Sequence, residues 1–114
     1  MAAGLLNGDP VPLRKRGISE ETCKLFNYLK HVTDSGEVLQ VANYYDPHTR
    51  ELCGQKVRNK DKQFRVVGKL NDALFGWQLW QRGRKIVITE GEIDCLSVSQ
   101  AQGNKYPVVS LPNG

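Results

Sequence analysis

The sequence has little of what marks a metal-stapled, exported or motor protein. Its 114 residues contain three cysteines and two histidines. Cys23, Cys53 and Cys95 are odd in number and far apart, which suits neither a disulfide framework nor a C-x-x-C zinc site and points to a reducing cytosol. His31 and His48 stand alone, so no zinc site is expected. There is no run of about eighteen apolar residues, and the opening MAAGLLNGDPVPL has no basic flank before its short apolar stretch. Neither a membrane span nor an export signal is expected. No repeat, heptad or low-complexity tract is present, and Ser97, Ser99 and Ser110 lack a nucleophile-elbow context.

What the chain does have is a mild excess of cations: 16 Lys+Arg against 12 Asp+Glu, a net charge of +4 and a pI near 9.1. That surface favours polyanionic partners such as nucleic acids or nucleotides, and it also suits simple solubility. With 39% hydrophobic residues the chain can form one modest core, in a single domain or two thin lobes.

Residues 1–13, rich in glycine, proline and small side chains, read as a tail or linker. Ser19, followed by two glutamates and then Leu25, Phe26 and Leu29, predicts a helix over about 19–30. The β-rich stretch EVLQVANYYD, the turn DPHTRE and LCGQKVRN predict a hairpin, with QFRVV as a third strand. NDALFGWQLWQRG predicts a helix capped by Asn71 and ended by Gly83, with Trp77 and Trp80 as core or lobe-interface residues. KIVITE, GEIDCLSVSQAQG and YPVVSL predict a buried strand, a helix closed by Gly103 and a second buried strand, which together form a parallel βαβ unit. The expected fold is an α+β basic subdomain over 14–82 followed, over 83–114, by the start of an α/β subdomain.

Two stretches carry candidate chemistry. Glu90 follows the apolar run Ile86-Val87-Ile88, at the strand end where open α/β sheets bind ligands. Gly91 allows a sharp turn, and Asp94 in the first helical turn can face the same crevice as Glu90. Carboxylates gathered this way repel one another, and Mg²⁺ relieves the repulsion. By spacing alone, a metal site and a solvated, well-favoured helix start are equally compatible with these residues. Cys95, next in the helix, reads as a packing residue.

The second stretch, GQKVRNKDKQFR, places Lys56, Arg58, Lys60 and Lys62 on one face if it is a continuous strand. Such a row can hold the phosphates of a triphosphate or a DNA backbone, and it can equally be a solvated edge. Phe64 beside it either stacks on a base or joins the core, and burial tendencies favour the core.

Taken in order, RGISEETC, VANYYD, GQKVRNKDKQF, NDALFG, KIVITEGEIDCLSV and YPVVSLPNG resemble the primase domain of T7-like phage primase/helicases. Twinkle-type helicases and bacterial primases are more distant likenesses. The resemblance implies a basic subdomain followed by a partial Toprim subdomain, and Mg²⁺-dependent synthesis of RNA primers from ribonucleoside triphosphates on single-stranded DNA template during replication. It implies a catalytic, metal-binding Glu90 supported by Asp94. It also implies nucleotide or primer contacts by Lys56 and Lys62, with Arg58 and Lys60 as neighbours.

The implied partners are a helicase domain and a zinc-binding domain of a parent protein and a DNA polymerase at the replication fork. The implied location is the cytoplasm of a bacterial host. The remaining metal ligands are expected beyond Gly114, so that the chain is inactive alone. No G-x-x-x-x-G-K-[ST] motor sequence is present. Two other readings account for part of the pattern. Another Toprim protein, such as a topoisomerase or OLD-type nuclease, explains Glu90 but not the basic region; a non-catalytic nucleic-acid-binding module explains the cations alone.

Overall fold

The computed structural model describes residues 4–81 and 85–112. Ser19 caps the first helix as expected, its hydroxyl oxygen accepting from the Thr22 N–H, a contact that contributes about 1 kcal/mol. The helix is shorter than expected, however: α1 spans Glu20–Phe26 and stops at Asn27, which takes a left-handed conformation (φ 55°). Residues 28–30, expected to continue it, instead open strand β1, Tyr28–Val32, because that segment pairs with β2, Val38–Tyr45. The hairpin of β2 with β3, Leu52–Arg58, and the third strand β4, Phe64–Gly68, fall where the sequence pattern places them. The result is one antiparallel sheet in the order β1-β2-β3-β4.

Register decides what each sheet face does. Tyr28, Ala42, Lys56 and Val66 form one rung, and Lys30, Gln40, Arg58 and Phe64 form another. Pleating puts both rungs on the same face. The intervening rungs turn Leu29, Leu39, Val41 and Val57 to the opposite face, where Leu6 and Val67 pack with them. Residues expected to be a tail therefore help cover the sheet. Gln55 fastens them by accepting from the Leu6 N–H and donating to the Leu6 carbonyl, each at 2.7 Å, and the Asp9 and Lys30 backbones exchange hydrogen bonds.

The segment NDALFGWQLW does not form the expected helix. Asn71 and Asp72 are left-handed, Phe75 bridges to Ser110, and only Trp77–Leu79 completes a 3₁₀ turn. Gly76 requires its glycine: φ is +87°, and a Cβ would lie 2.6 Å from the Phe26 ring. The apolar spacing that suggested a helix instead serves insertion, with Phe75 packed against Phe26, Tyr28 and Tyr44. Trp77 and Trp80 pack on this core, and their indole N–H groups donate to the carbonyls of Tyr45 and Val108. The expected end at Gly83 lies outside the described residues.

Strand β5, Val87–Thr89, helix α2, Glu92–Ala101, and strand β6, Val108–Ser110, form the expected parallel βαβ unit. Gly103 follows α2 in a left-handed conformation. Only β6 is a buried strand; Val87 and Ile88 of β5 are exposed, Ile88 at 54%. The physical reason is lateral: β6 has β5 on one side and Phe75 on the other, whereas β5 has one neighbour among the described residues. Cys95 and Leu96 of α2 join Phe26, Tyr44, Phe75 and Val108 in a single core, so the antiparallel sheet and the βαβ unit share their interior. No described helix is long and apolar enough to cross a membrane.

Candidate functional site

The end of the sheet face that carries Lys56 and Arg58 is not covered by the core. It forms the floor of a cleft of about 560 Å³ whose opposite wall is the turn from β5 into α2, so that Glu90 and Asp94 face Lys56 and Arg58 across it. Arg16, Phe64 and Pro112 complete its rim. Four of the six sequence-expected residues therefore meet in one place, although 32 or more positions separate the two pairs.

Lys60 and Lys62 depart from the expected row. Strand β3 ends at Arg58, residues 59–63 form the turn into β4, and Lys62 is left-handed (φ 62°). Asn59 builds this turn, its side-chain oxygen accepting from the N–H groups of Asp61 and Gln63 at 2.9 Å each. Lys60 and Lys62 consequently line an adjoining cavity of about 330 Å³ together with Arg14, Lys15 and Arg16. Arg16 and Arg58 border both spaces. Gln100 of α2 accepts from the Ser19 N–H and donates to the Gly17 carbonyl, holding the Arg14–Arg16 turn against the helix.

Glu92 has a structural part in the cleft that its sequence position did not announce. It is 6% exposed, and Lys56 Nζ lies 3.2 Å from its Oε2. Tyr44 donates to the same oxygen at 2.5 Å, and Lys56 also donates to the Pro112 carbonyl at 2.9 Å. Burial, reinforced by the nearby Glu92 charge, pushes the hydroxyl pKa of both Tyr44 and Tyr28 upward, so both stay protonated and Tyr44 remains a donor. The Lys56 ammonium is thus held between the sheet and α2. One signal was readable: Glu92, Cys95, Leu96 and Ser99 follow i, i+3, i+4, i+7 spacing, which puts a carboxylate at the head of the buried stripe of α2. The triplet Arg14-Lys15-Arg16 was likewise visible as a basic run before the cap.

Two local expectations change. Gly91 is extended (φ −142°, ψ 154°), and a Cβ there would meet nothing closer than Asp94 Oδ2 at 3.9 Å, so the turn does not need a glycine's freedom. Phe64 is not core: it is 55% exposed, with Lys56 Nζ 4.8 Å and Arg58 Cζ 5.8 Å from its ring centroid. Cys95 is a packing residue as expected, fully buried, its thiol pushed up to about 12 by burial and then by Glu92. Among the described residues no group of three His, Cys, Asp or Glu is placed to hold a metal ion.

The chain's sequence and fold are similar to those of proteins of known class. Residues 8–68, more than half of the chain, match the family of the bacteriophage T7 DNA helicase/primase N-terminal α+β fold. A DNA helicase/primase of enterobacteria phage T3 is 49% identical over 109 residues, covering 95% of this chain and 19% of the T3 protein. The crystal structure of the primase fragment of the bacteriophage T7 primase-helicase superposes with a TM-score of 0.87 at 49% identity, over 97% of this chain and 46% of that one. A structure of the T7 lagging-strand DNA polymerase interacting with primase domains bound to an RNA/DNA hybrid and dTTP contains a chain that matches equally well, with a TM-score of 0.87 at 49% identity. That match covers 100% of this chain and 51% of the other. The chain thus spans about a fifth of the length of the T3 protein, and it belongs to the family of the T7 DNA helicase/primase N-terminal α+β fold.

Proposed function

We propose that the cleft is part of the nucleotidyl-transfer site of a primase that makes short RNA primers on single-stranded DNA. The observation that carries this reading is the opposition of Glu90 and Asp94 to Lys56 and Arg58 across one cleft. Phosphoryl transfer needs cations against the phosphate oxygens and carboxylates near the attacking hydroxyl, and little covalent chemistry from the protein. In this reading the βαβ unit is the beginning of a Toprim subdomain, with Glu90 its glutamate and Asp94 the supporting aspartate.

The donors fit Mg²⁺ in kind. Carboxylate oxygens are hard ligands, and Mg²⁺ often takes only one or two of them, completing its shell with water and substrate phosphate. Glu90 and Asp94 would hold the ion, whose charge would lower the pKa of a primer 3′ hydroxyl and offset charge developing on the phosphoryl group. Lys56 and Arg58 bind the triphosphate of the incoming ribonucleotide, and Lys60, Lys62 and Arg16 extend the cationic surface along the template or primer backbone. The 3′ hydroxyl gives its proton to solvent, and its oxygen joins the α-phosphorus as the bond to the bridging oxygen breaks and pyrophosphate leaves.

In this reading the parent protein carries helicase and zinc-binding domains, acts in the cytoplasm of a bacterial host and passes primers to a DNA polymerase. The test is primer synthesis by a full-length protein carrying this segment. Glu90→Gln is expected to lower the rate by at least about a hundredfold with template binding retained. Undiminished synthesis overturns the catalytic assignment and leaves a nucleic-acid-binding module.

A further inference from the structure

Phe64 occupies a position that packing does not explain. It heads the edge strand β4, is 55% exposed and lines the same cleft as Glu90 and Asp94, whereas Tyr28, in the same cleft, is buried at 4%. An exposed phenylalanine on an edge strand forgoes most of the stabilisation its ring would gain in a core. The ring is not isolated, because both cations of the cleft floor lie over it as cation–π partners, at 4.8 Å and 5.8 Å from its centroid. Lys56 is itself fixed by Glu92 and the Pro112 carbonyl, so the relation between ring and ammonium is set by the fold.

We propose that Phe64 is a stacking platform for a nucleobase whose phosphate is held by Lys56 and Arg58. A phosphate on these cations leaves its own sugar and base within reach of the ring, and any base can use it, because each has a π-face. The register supports the pairing: Arg58 stands directly opposite Phe64 across the β3–β4 ladder, so one rung supplies both the phosphate contact and the stacking surface. This inference rests on the phosphate-binding reading above. It adds a contact to the base, which the cations alone do not provide.

The test measures binding of three probes to the chain: inorganic tripolyphosphate, ATP and a short single-stranded oligodeoxynucleotide. Phe64→Ala and Phe64→Leu are expected to weaken at least one base-bearing probe by roughly tenfold while leaving tripolyphosphate affinity unchanged, and Phe64→Trp to restore it. A loss confined to ATP assigns the platform to a free nucleotide, and one confined to the oligodeoxynucleotide assigns it to a strand. Unchanged binding of both base-bearing probes by Phe64→Ala, or an equal loss for tripolyphosphate, overturns the stacking role. If the wild-type chain does not bind tripolyphosphate at all, the phosphate reading fails and this inference fails with it. Because Phe64 is exposed, circular dichroism of each variant is expected to match the wild type.

Discussion

Strands β1 to β4 run five to eight residues each and form one antiparallel sheet, whereas β5 and β6 run three residues each and form a parallel pair. The larger sheet is covered on one face by residues near Leu6 and on the other by the aromatic core. In the smaller one, β6 is buried while Ile86, Val87 and Ile88 remain exposed. Lys56 and Arg58 come from the larger sheet, and Glu90 and Asp94 from the turn after β5 and the first turn of α2, so neither region holds the site by itself. What joins them is Phe75, which bridges to β6 and packs against Tyr28 and Tyr44 of the sheet, and Glu92, which ties α2 to Lys56.

The largest effect is expected from Phe75→Ala. Its ring is fully buried between the two regions, and losing it is expected to cost about 3–5 kcal/mol in urea denaturation. If the two regions are energetically joined, they unfold in one transition. Separate transitions for tryptophan fluorescence and far-ultraviolet ellipticity would show that the shared core does not couple them.

Glu92→Ala comes next, at roughly 3 kcal/mol, because it leaves Lys56 and Tyr44 without their common partner. Adding Lys56→Met is expected to recover part of that loss. A double-mutant cycle checks the coupling, and strict additivity of the two variants would remove Glu92 as the link between the regions.

A smaller effect concerns pH. Burial, and then the nearby Glu20, raises the Cys23 thiol from 9.0 to about 11 in the folded chain. The neutral thiol's contribution is complete below pH 9 and is lost as pH rises toward 11, because the unfolded chain deprotonates first. Thermal melts across that range are expected to show a decline that is shallower in Cys23→Ala. Smallest of all, Ile88→Ser is expected to change stability by less than about 0.5 kcal/mol, since the side chain is already 54% exposed. A large loss there would mean that β5 is supported from a direction the chain's own packing does not show.

Much of this contrast was legible in the residues. Local rules worked where the cause is local: the Ser19 cap, the β2–β3 hairpin and the strand–helix–strand alternation after residue 85. They failed where distant pairing outcompeted spacing. Residues 28–30 exchanged helix for strand because β2 offered backbone partners, and 71–80 lost its helix because Phe75 found a hydrophobic slot and a bridge to Ser110. The lysine row failed for a reason between the two. A period of two holds only while the strand lasts, and the Asn59 turn ends it after Arg58.

The order of blocks and the types of side chain by themselves determined a basic hairpin followed by an acidic strand end, and with them the family resemblance and the candidates Glu90, Asp94, Lys56 and Arg58. Tertiary structure alone decided that these four share a cleft, that Glu92 is an internal partner of Lys56, and that Phe64 stays in solvent. The physical reason is that charge type and strand or helix periodicity are properties of neighbours in the chain. Burial, pairing and the filling of a core depend on which distant segments arrive at the same place.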